Sequence, residues 1–265
     1  MAVRRFFRGA VEWERLESVF RELARRYDEP VVHVEFLEAD NWLSTPCVVN
    51  HRWFIKVISR QNSLVHALFT GARNIGAFSS GTEGFFEHFG TPLDMAEHEL
   101  EATKRMRENG VNAPEPIEAF EVDGLGVVVM EYLADLTPLD ELDPERVADL
   151  APDLFEALST MHETRLAHGD LRAENVLVRD DQLYFIDATN VREDGIEGAR
   201  AYDVACALGV LVPVIGARSA VDASLEYYSP EELLEAREFL DFVNIRPDHD
   251  FDGATVKGEI EKRAT

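Results

Sequence analysis

One short stretch of this chain sets three oxygen-bearing side chains at a spacing that could do chemistry. In His168-Gly169-Asp170-Leu171-Arg172-Ala173-Glu174-Asn175 an aspartate is followed five residues later by an asparagine, and Asp187 lies twelve residues beyond that. Transfer of a phosphoryl group from a magnesium-bound nucleotide asks for such a set. One carboxylate orients an acceptor hydroxyl and takes its proton, and two hard oxygen ligands hold the metal. Asp170 suits the first role, Asn175 and Asp187 the second. Arg172 could steady charge as it develops on the transferred group. Asp and Asn are also common turn residues, so the order and spacing carry the reading, not the residue types alone.

The elements around these residues must bring them together. Val176 to Val178 and Leu183 to Ile186 read as a hairpin through Arg179-Asp180-Asp181-Gln182, which sets Asn175 and Asp187 at one end. Upstream, Leu16, Phe20, Leu23 and Tyr27 share one face of a helix over 11–27. Strands follow at 31–36, 47–50 and 52–58, the last two around an Asn50-His51 turn. Thr91-Pro92 opens a helix that buries Leu93, Ala96, Leu100 and Thr103, and Gly110 closes it. Strands 117–122 and 126–132 are joined by Asp123-Gly124, a strong hairpin signal. Beyond Leu133 the pattern turns helical. Asp143-Pro144 starts a helix that runs to Met161, with Pro152 expected to split or kink it. The fold class is therefore α+β: five strands with one main helix, then a helical half.

At 265 residues with 46% hydrophobic content, the chain has enough apolar material for two lobes. Its 51 acids against 26 bases give a formal charge of −25. Acids spread this evenly suit a very salty cytoplasm, where screening weakens self-repulsion; an acidic binding face is the alternative. Either way, bulk electrostatic binding to nucleic acid is disfavoured. Cys47 and Cys206 make no metal-ligand spacing and read as reduced, buried residues. The first residues have no long apolar core and so do not resemble a signal peptide. The apolar stretch Val204 to Ala217 is too short for a bilayer and carries Pro213. No membrane association and a cytoplasmic location are the expectation.

With these residues in this order, roughly residues 31–210 resemble the protein-kinase-like fold. Within it the chain is most similar to the atypical RIO kinases and their relative in the KEOPS tRNA-modifying complex. The His-Gly-Asp form with Asn175 carries that likeness, as does Asp187 followed by Ala188-Thr189-Asn190 in place of Phe-Gly. The resemblance implies a bilobal fold: a helical extension at 1–30, an N-lobe at 31–132 with a five-stranded antiparallel sheet and one main helix, and a mostly helical C-lobe at 133–265. ATP and Mg2+ would be the cofactors. The acceptor would be a Ser/Thr hydroxyl of a protein or the chain itself, or the enzyme would act as an ATPase in a ribosomal or tRNA-modification complex. With the acidic charge, a halophilic archaeon is the expected source.

The same resemblance assigns single residues. Lys56, on a strand between Ile55 and Val57, would neutralise the α and β phosphates. Glu99 would be its helix partner, with Glu97 and Glu101 as competitors. Backbone groups near Glu131 and Leu133 would meet the adenine edge, with Met130 bordering the pocket. Asp203 would receive hydrogen bonds from the loop around Asp170, a helix N-cap being its competing role.

The pattern also departs from the family. The loop at 39–46, where phosphates are approached, contains no glycine, so Asn41, Ser44 and Thr45 would have to serve. Only fifteen residues separate Asp187 from Asp203, with no Ala-Pro-Glu element, which leaves no full peptide-docking segment. Residues 57–82 contain no acid where an even spread would give about five, and they carry Arg60, His66 and Arg73. That stretch either meets an anionic partner such as RNA or packs against its own lobe. Two rival functions remain open: a small-molecule kinase of the aminoglycoside or choline type, and a non-catalytic ATP-binding scaffold. Only about 55 residues follow Val210, short for the acceptor pocket that the first rival builds from extra helices.

Overall fold

Hairpin turns in this chain are made by residues that accept left-handed backbone. We analysed a computed structural model, which describes residues 11–37, 44–60, 90–188, 195–245 and 249–264. Positive φ occurs at both centres of three turns: Asn50 and His51, Asp123 and Gly124, and Asp180 and Asp181. Type I′ hairpins require this, and short polar side chains tolerate it better than most.

The first unit is built on a five-stranded antiparallel sheet with β1 (Val34–Phe36), β2 (Thr45–Val49), β3 (Trp53–Ile58), β4 (Pro116–Val122) and β5 (Leu125–Glu131) in the order β1-β2-β3-β5-β4. The strands match the sequence reading except at their ends; β1 begins at Val34 rather than Val31, and β2 at Thr45 rather than Cys47. Helix α1 (Trp13–Arg26) lays Leu16, Val19, Phe20 and Leu23 on one sheet face, against Cys47, Val49, Ile55, Val57, Val127 and Val129. Its end is fixed by Tyr27, which stacks on Trp53 and donates from its hydroxyl to Glu118 Oε1 at 2.8 Å. The other sheet face packs Ile58, Val128 and Met130 against Ala96 of helix α2 (Pro92–Glu108).

Side chains alternate across a strand. Because Ile55 and Val57 face α1, Lys56 between them lies on the α2 side. The start of α2 is a reciprocal cap: Asp94 N–H donates to Thr91 Oγ1 and Thr91 N–H to Asp94 Oδ2. It lies so close to β5 that a Cβ on Gly126 would come within 2.0 Å of the Pro92 carbonyl oxygen. Along α2 the buried positions are Pro92, Ala96, Ala102, Thr103 and Met106, while Leu93 and Leu100 are only half-buried.

In the second unit, helix α3 (Pro144–Glu163) runs through Pro152 without a break, contrary to the expected split. Proline removes its own N–H and costs about 3 kcal/mol in a helix interior. Burial of Leu150, Ala151, Leu154, Phe155 and Leu158 around it outweighs that loss. A second sheet joins β6 (Thr137–Pro138), β7 (Val176–Arg179) and β8 (Gln182–Phe185) in that order. The two residues of β6 are too few to leave a periodic signal in the sequence.

Helices α4 (Ile196–Ile215), α5 (Ala217–Ser224), α6 (Pro230–Arg237), α7 (Leu240–Asn244) and α8 (Gly253–Arg263) complete the unit. The expectation that the apolar stretch here is too short for a bilayer does not hold: α4 starts at Ile196 and has the length and composition of a span. Its apolar surface serves the core instead, with 67% of that span buried within the protein.

Candidate active site

In the sheet unit, alternation along β3 and the buried side of α2 bring Lys56 to Glu99, with Nζ 2.5 Å from Oε1. The lysine side chain is 5% exposed and the glutamate 16%, whereas Glu97 and Glu101 are exposed. The helix turn carrying Glu99 is braced by Thr103, whose hydroxyl donates to the Glu99 carbonyl at 2.8 Å. An ammonium fixed this way is a pre-oriented positive charge of the kind that a polyphosphate needs.

Ser44 is buried just before β2, and Thr45 opens that strand, half-buried. Asn41 and the stretch 61–82 lie outside the described residues; Arg60 is described and exposed. Met130 is buried in the α2-facing core, and Glu131 and Leu133 are half-buried at the end of β5. Glu131 N–H donates to the Glu115 carbonyl and Tyr132 N–H to the Arg52 carbonyl, so backbone on both sides holds this exit from the sheet.

The helical unit holds the loop after α3. His168 and Gly169 are anchored by Asp203, whose Oδ2 accepts the His168 N–H at 2.6 Å and whose Oδ1 accepts the Gly169 N–H at 2.8 Å. Asp203 lies well inside α4 and is 0% exposed. The N-cap alternative therefore fails, and the loop-acceptor role is the observed one. A carboxylate removed from water needs such donors to remain stable. Gly169 takes φ +76°, a left-handed conformation that glycine enters freely.

Asp170 follows, half-buried, with Arg172 Nη2 3.4 Å from its Oδ2. Arg172 also pairs with Glu174. The amide of Asn175 donates from Nδ2 to the Asp170 carbonyl at 2.9 Å, which leaves Asn175 Oδ1 as the acceptor end. Asn175 enters β7 and Asp187 leaves β8. The register Val176↔Phe185, with Ile186 N–H on the Asn175 carbonyl, puts both at the same end of the hairpin.

Asp187 has φ +62°, an unusual state for a non-glycine residue and one that clusters at functional sites. The preceding carbonyl, of Ile186, is 3.0 Å from His168 Nε2, so that nitrogen carries the hydrogen. Burial pushes the pKa of His168 below the ordinary histidine value, against the pull of nearby carboxylates, which keeps the ring neutral.

An amide oxygen and a carboxylate are hard oxygen donors that suit Mg2+, which takes few protein ligands and completes its shell with water and phosphate. Among the described residues no cluster of three or more His, Cys, Asp or Glu could hold a metal on its own. The pair Asn175 and Asp187 fits a nucleotide-borne magnesium and not a caged structural ion.

Sequence reasoning missed several supports. Asn112 backs β8, its carbonyl taking the Phe185 N–H and its Nδ2 donating to the Leu183 carbonyl. His162 and Tyr228 stand behind Asp203. No spacing links these positions, so no sequence signal could have found them.

Residues 91–201 match the RIO domain model, a span that includes Glu99, Asp170, Asn175 and Asp187 and leaves out Lys56 and Asp203. A 95-residue stretch is 34% identical to the KEOPS complex subunit Bud32 of Pyrococcus abyssi, covering 34% of this chain and 41% of that protein. The chain thus matches about two-fifths of that relative's length. Among solved structures it is similar to a type VIII aminoglycoside-3'-phosphotransferase (TM-score 0.53, 17% identity, 88% of this chain and 100% of that one). It is also similar to a protein described as a fructosamine-3-kinase from Haemophilus somnus 129PT (TM-score 0.51, 10% identity, 94% and 98%). At such identities the likeness speaks for the fold alone. The fold is thus kinase-like, and over part of its length the chain is similar to the atypical RIO-type kinases, through the RIO-domain match and the Bud32 likeness.

Proposed function

We propose that this chain is an ATP- and magnesium-dependent phosphotransferase of the RIO type, moving the γ-phosphate to a protein hydroxyl or to itself. The observation that carries the reading is the braced loop: Asp170 is held on one side by the Asp203 anchor and on the other by Asn175, which shares the hairpin end with Asp187. Lys56, fixed by Glu99, would neutralise the α and β phosphates. Asp170 would orient the acceptor hydroxyl and take its proton, and Arg172 would turn from Asp170 toward charge developing on the transferred group. Ser44 and Thr45 would contact phosphate, and Met130 and backbone at Glu131 and Leu133 the adenine. Magnesium held by Asn175 and Asp187 would neutralise phosphate oxygens.

The Bud32 likeness supports a cytoplasmic partner complex of the KEOPS kind as the site of action. The formal charge of −25 supports a high-salt source and sets the assay conditions. In multimolar KCl with magnesium and γ-labelled ATP, label is expected in free phosphate or in protein. It should fall by about a hundredfold or more in Asp170→Ala and in Asp187→Ala. Acid-labile protein label lost in Asp187→Ala indicates a phospho-aspartate ATPase; acid-stable label indicates a protein kinase. Turnover only with an added small-molecule hydroxyl acceptor would overturn the protein-directed reading. ATP binding with no transfer under any condition would leave a scaffold.

A further inference from the structure

Behind the Asp203 anchor, buried polar groups continue outward from the loop. His162 Nε2, on α3, is 3.2 Å from Asp203 Oδ2, and Tyr228 Oη is 2.8 Å from His162 Nδ1. Tyr228, His162 and Asp203 are 4%, 3% and 0% exposed, so water does not compete for these bonds. The tyrosine ring meets Phe155 edge-on at 6.2 Å and His162 at 5.8 Å, and these contacts fix its orientation without the hydroxyl.

Donor and acceptor counting selects one arrangement for a neutral ring. An ionised Asp203 only accepts, so Nε2 of His162 must carry the hydrogen. That leaves Nδ1 as a bare acceptor, and the Tyr228 hydroxyl must donate to it. Burial first, and the charge of Asp203 second, raise the pKa of Tyr228 and keep that proton in place.

We propose that Tyr228 is a positioning residue for phosphoryl transfer: it locks His162 as the Nε2–H tautomer and thereby holds Asp203 where it fixes the backbone of His168 and Gly169. Those two residues immediately precede Asp170, so slack in Asp203 becomes slack in the carboxylate that would orient the acceptor. Removing one hydroxyl, on a residue 66 positions from His162 in sequence, would loosen the loop without touching nucleotide or acceptor. The kinetic part of this inference rests on the phosphotransferase reading; the structural part does not.

Tyr228→Phe keeps the ring and deletes only the donor. Loss of one buried hydrogen bond predicts about fivefold faster amide exchange at His168 and Gly169, and about fivefold lower kcat with KM for ATP within about twofold. Nitrogen-15 shifts of the His162 ring should report the Nε2–H tautomer at neutral pH in the parent chain and a tautomer mixture in the variant. His162→Gln offers Asp203 a donor that needs no tyrosine, so in that background Tyr228→Phe should be silent. A tyrosine that only fills space would instead show the same loss in both backgrounds, and that result overturns the proposal. So does an Nδ1–H or doubly protonated His162 in the parent, or unchanged amide exchange in Tyr228→Phe. If the parent turns over no ATP, the phosphotransferase reading fails, while the exchange and nitrogen shifts still decide the role of Tyr228.

Discussion

Each unit of this protein buries a carboxylate near residues that could do chemistry, and the two are satisfied in opposite ways. Glu99 in the sheet unit, 16% exposed, faces the ammonium of Lys56. Asp203 in the helical unit, 0% exposed, is held by two backbone N–H groups and an imidazole. An ion pair of the first kind is replaceable in principle. If both partners become apolar together, neither charge is left facing the other's empty place, and such swaps are often neutral for stability. The second kind is not replaceable, because its backbone partners stay whatever side chain stands at 203. If the Lys56–Glu99 pair proves dispensable for stability, its function is what would account for it. A hub that stability does require holds the loop in register for its neighbours.

The largest effect should therefore come from Asp203. Asp203→Ala strands the His168 and Gly169 N–H groups and the His162 Nε2–H in a water-free interior, at a cost of about 4 kcal/mol in urea unfolding. A cost below about 1 kcal/mol would mean that the hub is not a hub, and the comparison would collapse.

The next effect sharpens the contrast. Lys56→Met leaves Glu99 charged and mostly buried, and should cost about 3 kcal/mol. Adding Glu99→Leu should bring stability back to within about 1 kcal/mol of the parent, while ATP binding stays weak in both variants. A double variant as unstable as the single one would show that the pair is structural after all, like Asp203.

How far the sequence could be read follows the same division. Asp170, Asn175 and Asp187 were legible because the hairpin that joins them is local and its ends are set by turn chemistry at Asp180 and Asp181. Lys56 and Glu99 came from the resemblance to the RIO-type kinases, not from periodicity; strand alternation only explains why Lys56 turns toward α2. For Asp203 the sequence allows two roles, since its loop partners lie 34 and 35 residues away and meet it only through the packing of α4. His162, Tyr228 and Asn112 left no trace at all, for the same reason: tertiary contacts, not periodicity, give them their partners. Pro152 does not split α3, because a local rule about proline is outweighed by burial along the helix.

Glycines give the smallest and most direct test of how tightly each unit is built. A Cβ at Gly126 would sit 2.0 Å from the Pro92 carbonyl oxygen and 2.4 Å from its carbon, both backbone atoms at the start of the helix that carries Glu99. In the helical unit a Cβ at Gly209 would meet side-chain atoms, His249 Cδ2 at 2.7 Å and Phe251 Cε1 at 2.9 Å. Side chains can rotate away, whereas a helix start must move as a body. Gly126→Ala should thus cost about 2 kcal/mol and Gly209→Ala about 1 kcal/mol by thermal melting. The difference in kind matters more than the difference in size. Displacing the start of α2 shifts Glu99 relative to Lys56, so Gly126→Ala should weaken ATP binding as well as stability. Gly209→Ala, which disturbs only packing among α4, Val243 and the segment before α8, should leave binding unchanged. Equal binding in both variants would mean that the Lys56–Glu99 distance is not set by the approach of Pro92 to β5.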